Sequence, residues 1–146
     1  MHGPTRLGAV TGVLALLLGS LVGPPARAHH AFSAEFDANQ PVRFDKATVT
    51  RMEWTNPHVW IYIDVEHPDG TVEPWAVEAG TPNVLFRRGF TKASLLPGTA
   101  IVVDGYRAKD GTRRANGRDV TLPDGRTLFL GSPGTGAPDE LRSSGR

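Results

Sequence analysis

The most regular pattern in the chain lies at residues 59–65, where aliphatic and other side chains alternate strictly. Valine or isoleucine occupies every odd position, and His58, Trp60, Tyr62 and Asp64 occupy the even ones. In a β-strand, successive side chains point to opposite faces of the sheet. The alternation therefore predicts a strand whose aliphatic face lies in the core and whose outer face carries His58, Trp60 and Tyr62.

A hairpin follows this strand, because Pro68-Asp69-Gly70 has the composition of a three-residue turn with a left-handed glycine. This turn pairs His67 with Thr71, and it then places Ile63 opposite Trp75. The third strand predicted in this way shares the core of the second strand without a change of face. A shift of one residue would move Trp75 to the outside.

The segment before the hairpin, residues 42–54, predicts a long first strand with two irregularities. Its apolar residues keep a period of two only if the strand slips after Phe44 and again after Val49. Such slips are typical of β-bulges, which bend a strand. We expect the strand to end before Asn56-Pro57, because proline has no N–H to donate and restricts the residue before it.

Capping residues after the third strand predict one short helix. Thr81 has the side chain of an N-cap, Pro82 suits the first helical position, and Gly89 suits the position beyond the end. Arg87 and Arg88 then lie in the last turn, where positive charge is favoured.

The remainder of the chain predicts one more strand and a final hairpin. The strand covers residues 100–107, and the hairpin joins residues 120–122 to residues 127–130 around Pro123-Asp124-Gly125. The polar stretch between them, residues 112–117, reads as a mobile loop, and its arginines read as solvated.

This order of elements predicts a mainly β protein similar to the OB-fold. The OB-fold is a small five-stranded barrel. For this chain we expect a similar barrel of five to six strands with one short helix between strands 3 and 4. A bulged, bent first strand is consistent with such closure. An open β-sandwich and an SH3-like barrel are the alternatives.

Residues 1–28 have the pattern of an export signal. Arg6 precedes an apolar run at residues 7–22, and the small-residue pattern of residues 26–28 predicts cleavage after Ala28. The run is interrupted by glycines and is shorter than the ~20 residues that span a bilayer, so a retained anchor is the lesser alternative. We therefore expect a periplasmic or secreted protein of the Sec type, without a stable membrane anchor after cleavage.

The rest of the chain divides into three predicted parts. Residues 29–40 read as an extended arm that lies on the domain and is held by Phe32 and Phe36. Residues 41–130 form the folded domain, and residues 131–146 read as a disordered tail because they contain one large apolar residue.

Composition limits the partners more than it identifies one. The 146 residues contain no cysteine, which excludes disulfides and thiolate metal sites. Removal of residues 1–28 takes away two of the 16 basic residues, Arg6 and Arg27, and leaves 14 against 15 acidic ones. This balance gives no indication of nucleic-acid binding. We expect a monomer that meets a small molecule or another periplasmic protein.

Four sequence blocks resemble one known family. The family consists of small exported bacterial proteins and is known as domain of unknown function 6152. Its Trp-Thr-Asn-Pro-His block with two histidines upstream is specific, and the resemblance covers about residues 29–129. It implies a periplasmic location and no catalytic residues. The blocks are residues 29–37, 53–60, 105–111 and 122–126.

The outer face of strands two and three is the candidate ligand-binding face. The OB-fold binds oligonucleotides and oligosaccharides on its equivalent strands. Aromatic rings with a few polar groups suit a sugar, another small ligand or a partner protein. Alternatively, the arm or Phe86 and Phe90 cover these rings, which then only pack. The face comprises Trp60, Tyr62, Asp64 and Glu78.

A metal site is the second hypothesis. Cleavage after Ala28 would make His29 the first residue, so its α-amine and ring could chelate one ion, and His30, His58 or His67 could add an imidazole. The carboxylates Glu35 and Asp37 could also be ligands, although carboxylates in such an arm are usually solvated. Nitrogen ligands without thiolates suit Cu(II) first. The alternative is that His29 and His30 merely begin the arm and that His58 hydrogen-bonds at the Asn-Pro corner.

Enzymatic activity is the least favoured class. His58, Asp64 and Glu78 could serve as acids or bases, but the sequence has no nucleophile motif, phosphate loop or paired metal-ligand spacing. We therefore predict no catalytic residues and favour a binding or accessory module.

Overall fold

A computed structural model describes residues 31–131 of the protein. The predicted signal, both N-terminal histidines and all but the first residue of the predicted tail lie outside this range. Among residues 31–131, no helix is long and apolar enough to cross a membrane. The elements, in order, are α1 (Ala31–Glu35), β1 (Phe36–Glu53), β2 (Trp60–Glu66), β3 (Val72–Glu78), α2 (Pro82–Arg87), β4 (Ala100–Ala108), β5 (Arg114–Thr121) and β6 (Thr127–Phe129).

The strands form one sheet in the order β3-β2-β1-β4-β5-β6. All these neighbours are antiparallel, and a further parallel pairing of β3 with β5 joins the first five strands into a ring. The predicted mainly β, OB-like order of three strands, a short helix and two further strands is confirmed. β6 is a short addition on β5.

The long β1 belongs to two ladders and bends between them. One part pairs with β4 and another with β2, and the registers shift after Phe44 and after Val49 as the sequence predicts. The strand starts at Phe36 and not at Val42, because Phe36 already pairs with Ala108. The prediction of its start was wrong because residues 36–41 are largely polar or small.

The β2–β3 hairpin has the predicted register. Ile63 pairs with Trp75, and the His67 N–H donates to the Thr71 carbonyl at 2.8 Å. Trp75 is 7% exposed and contacts the core ring of Phe44, with centroids 4.7 Å apart. The aliphatic side chains of β2 therefore lie in the core, and the other face of the strand points outward.

The helix α2 closes over this core at the predicted position. The Thr81 hydroxyl accepts from Val84 N–H, and Pro82 begins the helix. Gly89 follows its end with a φ of 81°, a conformation that suits glycine. Leu85 and Phe90 are fully buried in the core.

The stretch predicted as a mobile loop is in large part a strand. β5 begins at Arg114, pairs with β4, and pairs in parallel with the end of β3. Its inward positions are small because space is short: a Cβ on Gly117 would lie 2.8 Å from side-chain atoms of Val77 and Leu130. The sequence pattern did not predict this strand because its composition is largely polar. Most of its larger side chains point away from the core.

The predicted N-terminal arm begins as a helical turn and not as an extended segment. Phe32 and Phe36 are buried, as expected, and they pack with Tyr106 and Ala108 in a small cluster separate from the main core. Lys109 holds the turn in place, because its N–H donates to the Glu35 carbonyl at 2.9 Å. The turn α1 therefore covers part of the outer face of the sheet.

Candidate functional site

A pocket of about 270 Å³ lies on the outer face, between α1 and the open end of the β2–β3 hairpin. We call it the His58–Glu78 pocket. Aromatic and carboxylate side chains share its surface with one imidazole and one amide. Its lining residues are Phe32, Glu35, Phe36, Pro57, His58, Trp60, Glu78 and Asn116.

Strand register brings three of these side chains into one row. Trp60 is opposite Glu78 in the β2–β3 ladder, and Glu78 is opposite Asn116 in the β3–β5 ladder. Directly opposite residues point to the same face of a sheet. The parallel pairing that closes the ring therefore also supplies the amide of the pocket.

The Asn56-Pro57 corner places His58 beside this row. The Asn56-Pro57 bond is cis. Directly after His58 the chain hydrogen-bonds to β3 and the residues that follow it, since Val59 N–H donates to the Gly80 carbonyl at 3.0 Å. Ala79 N–H donates back to the Val59 carbonyl at 2.8 Å. These two bonds hold His58 next to Glu78, although the residues are far apart in the sequence.

His58 and Glu78 contact each other through Nδ1 and Oε1. The Glu78 side chain is 10% exposed and the His58 side chain 29%. Burial raises the pKa of the Glu78 carboxyl and repulsion from Glu35 adds to it, whereas the charge on His58 and hydrogen bonds from His58 and Asn116 oppose this rise. Desolvation disfavours the charged form of a carboxyl group. The contact with His58 therefore stabilises the ionised form of Glu78, which burial alone would disfavour.

The turn α1 and Phe36, the first residue of β1, supply the facing wall. Phe32 and Phe36 are buried there, and Glu35 is exposed at the rim. An Arg114 nitrogen lies 3.4 Å from a Glu35 oxygen. The Lys109 ammonium donates to the Ser33 carbonyl at 2.6 Å, which ties the turn to the end of β4.

The structure divides the predicted ligand-binding face. Trp60 and Glu78 line the pocket with His58, whereas Tyr62 and Asp64 do not. The Tyr62 hydroxyl donates to Glu53 at 3.2 Å, and the Arg51 guanidinium lies 3.5 Å from its ring centroid. Both the hydroxyl and the ring of Tyr62 therefore interact with side chains of β1.

Asp64 lies further along β2, opposite Thr48 on one side and Pro74 on the other. The alternative that Phe86 and Phe90 cover the face does not hold, because Phe86 is 66% exposed and Phe90 is in the core. The N-terminal turn, not α2, stands beside Trp60.

The predicted metal ligands are only partly within the structure. His58 is in the pocket, and His29 and His30 lie outside the described residues. Among residues 31–131, no three histidine, aspartate or glutamate side chains are grouped to hold a metal ion. Asp37 accepts from its neighbours Asn39 and Gln40 and lies apart from the pocket.

Sequence reasoning did not place Asn116, Phe32 or Phe36 at a site. Asn116 falls within the predicted loop, and the two phenylalanines are predicted only to hold the arm against the domain. The single available signal was the order Ala115-Asn116-Gly117, in which small residues flank a polar one at strand spacing. That pattern is typical of a crowded strand with one outward side chain.

Comparison with known proteins gives a family and no activity. Neither the curated proteins nor the solved structures include a match to this chain. A model of the family of unknown function DUF6152 matches residues 18–117. The resemblance to this family is confirmed, with three of the four sequence blocks inside the matched range and residues 122–126 beyond it, and the chain belongs to this family of unknown function.

Proposed function

We propose that this protein is an exported, periplasmic accessory module that binds a small molecule in the His58–Glu78 pocket. One observation carries the proposal: three residues that the sequence places on the outer face or at the corner, His58, Trp60 and Glu78, line one pocket with aromatic and carboxylate side chains. Concave sites with an apolar lining and a few convergent polar groups are typical of ligand binding.

Export is the first part of the proposal to test. The full chain is expressed with residues 1–28 in a Gram-negative host, and the periplasmic fraction is analysed by intact mass. We expect a product that begins at His29. A protein that stays in the cytoplasm with residues 1–28 attached would contradict export.

Ligand binding is tested with a library of small compounds followed by ¹H–¹⁵N NMR. We expect binders to shift the Trp60 indole and Asn116 amide signals. Trp60→Ala should weaken such binders by about tenfold or more, since it removes one aromatic wall. Tyr62→Ala is the matched control, because Tyr62 is on the same face two residues away and outside the pocket. Equal losses in both variants would contradict the site.

The partner can instead be another periplasmic protein. The turn α1 and the β2–β3 hairpin would then present the same pocket to a protruding side chain of the partner protein. If no compound binds, a periplasmic extract is passed over the immobilised protein and over Trp60→Ala. A protein retained by the first and lost from the second would assign the pocket to protein recognition.

Transition-metal binding is the second candidate. The observation that favours it is the position of α1: His29 and His30 directly precede Ala31, and two side chains of this turn, Phe32 and Glu35, line the pocket with His58. An imidazole and an N-terminal amine suit Cu(II).

The metal candidate is tested on protein whose N-terminus has been confirmed as His29. We expect Cu(II) to bind at least about tenfold more tightly than it binds a peptide of residues 29–37. His58→Ala should remove this difference, and His67→Ala, at the other end of the hairpin, should not. Affinity equal to that of the peptide would rule out a site built by the fold.

A further inference from the structure

The charges of the His58–Glu78 pocket are unbalanced. Within the described residues, its lining contains two carboxylates, Glu35 and Glu78, and neither lysine nor arginine. Arg114 pairs with Glu35 at 3.4 Å, but both side chains are substantially exposed, at 36% and 55%. Exposed ion pairs are weak, so Glu35 is free to turn toward a ligand at little cost. An anionic ligand would meet both carboxylates, and the imidazole of His58 is already paired with Glu78.

Glu78 also has unused capacity to accept hydrogen bonds. A carboxylate has about four acceptor positions on its two oxygens. Side chains of His58 and Asn116 donate to Glu78, which leaves positions for donors from a ligand. Because Glu78 is nearly buried, a further donor with positive charge would offset part of its lost hydration.

The aromatic walls suit the same class of ligand. Phe32, Phe36 and Trp60 line the pocket together with the two carboxylates. Cations are attracted to the faces of aromatic rings, most strongly to tryptophan. The pocket is small, near the lower end of the ~300–1,000 Å³ typical of ligand sites, so the ligand must be compact.

Resting on the ligand-binding function proposed above, we propose that the His58–Glu78 pocket takes a small organic cation. An ammonium or amidinium group binds between Glu78 and Glu35, and a compact apolar body packs against the rings of Trp60, Phe32 and Phe36. The carboxylates then determine the selectivity for ligand charge, and the aromatic walls limit the size of the ligand.

Three probes of similar size and different charge test this class. Benzylamine is a cation, benzyl alcohol is neutral and benzoate is an anion at neutral pH. Each is titrated into the processed protein and followed by the NMR signals of Trp60 and Asn116. We expect benzylamine to bind about tenfold more tightly than benzyl alcohol, as charge-assisted hydrogen bonds allow, and benzoate to bind least.

Outcomes for the ligand class and for the proposed function are separate. Benzylamine that binds no better than benzyl alcohol, or not at all, overturns the cation class. The proposed function falls only if no compound of the wider library shifts these signals. Neutral or anionic library compounds that bind while benzylamine does not would keep the function and reject the class.

Two variants locate the charge preference. Glu78→Gln should weaken benzylamine binding by about tenfold and change benzyl alcohol binding by less than about threefold. Glu73→Gln is the control, since Glu73 is on the same strand and outside the pocket. Glu35→Gln, at an exposed position that the fold tolerates, should reduce the same preference by about threefold. A preference for benzylamine that survives both pocket variants overturns the proposal.

Discussion

The β2–β3 hairpin carries one histidine–glutamate pair at each end, and the two pairs differ in burial. His58 and Glu78, at the open end, have side chains that are 29% and 10% exposed. His67 and Glu73, at the turn, are 40% and 32% exposed, with Nε2 and Oε2 3.3 Å apart. The same two side-chain types thus meet water to different extents on one hairpin.

This difference reverses the shift of the carboxyl pKa. Burial raises the pKa of Glu78, although His58 opposes the rise. The neighbouring imidazole of His67, together with the charge of Arg113, lowers the pKa of Glu73. An exposed carboxylate keeps its hydration and gains a partner, whereas a buried one loses hydration first. The more buried pair lines the His58–Glu78 pocket and the more exposed pair does not, so the two pairs differ in burial and in their place relative to the candidate site.

The largest expected effect comes from removing each histidine. His58→Ala leaves Glu78 buried with one partner fewer, and we expect the free energy of unfolding to fall by about 2 kcal/mol. This is less than the ~3–5 kcal/mol typical of fully buried pairs, because His58 is partly exposed. His67→Ala should change stability far less. Urea unfolding at pH 7 measures both, and equal losses would remove the distinction between the pairs.

The second prediction uses pH. The ordinary pKa of a glutamate is 4.5, and that of Glu78 is raised. The contribution of Glu78 to the free energy of unfolding is therefore fully present below pH 4.5. It is lost as the pH rises through the folded-state pKa of Glu78. Glu78→Gln lacks this loss, so its stability relative to the wild-type protein should increase as the pH rises above 4.5.

Glu73 should show the opposite sign. Its pKa is lowered from 4.5, so its contribution is present above pH 4.5 and is lost as the pH falls through the folded-state pKa. The deficit of Glu73→Gln should therefore shrink as the pH falls below 4.5. Thermal unfolding between pH 3 and pH 7, with a chelator to exclude metal effects, measures both variants. Parallel curves would show that burial does not divide the two pairs.

The smallest expected effect is that of salt. At 1 M ionic strength the screening length is about 3 Å, which suppresses exposed charge pairs and affects buried ones less. A double-mutant cycle on His67 and Glu73 should lose its coupling energy in 1 M NaCl. A cycle on His58 and Glu78 should retain most of it. Equal loss in the two cycles would mean that water reaches both pairs alike.

Local patterns predicted the parts of the molecule that depend on near neighbours. The register of β2 with β3 follows from the Pro68-Asp69-Gly70 turn, which fixes which residues pair. The bulges after Phe44 and Val49 follow from breaks in a period of two. Capping of α2 by Thr81 and Gly89 likewise depends only on adjacent residues.

The errors lie where distant segments decide the conformation. Arg114–Thr121 looked like a polar loop and a short strand, but parallel pairing with β3 makes one strand of it. Residues 31–40 looked like an extended arm, but packing of Phe32 on Tyr106 and pairing of Phe36 with Ala108 make a turn and the start of β1. Neither partner is near in sequence.

The candidate site shows the same division. The sequence by itself determined the family, the mainly β fold, and the outward direction of His58 and Trp60, because a strict period of two and a corner at Asn56-Pro57 act within one segment. Only the tertiary structure decided that Glu78 is buried beside His58, and that Asn116 and α1 complete a pocket. Ring closure and the packing of α1 are long-range contacts, and no local pattern contains them.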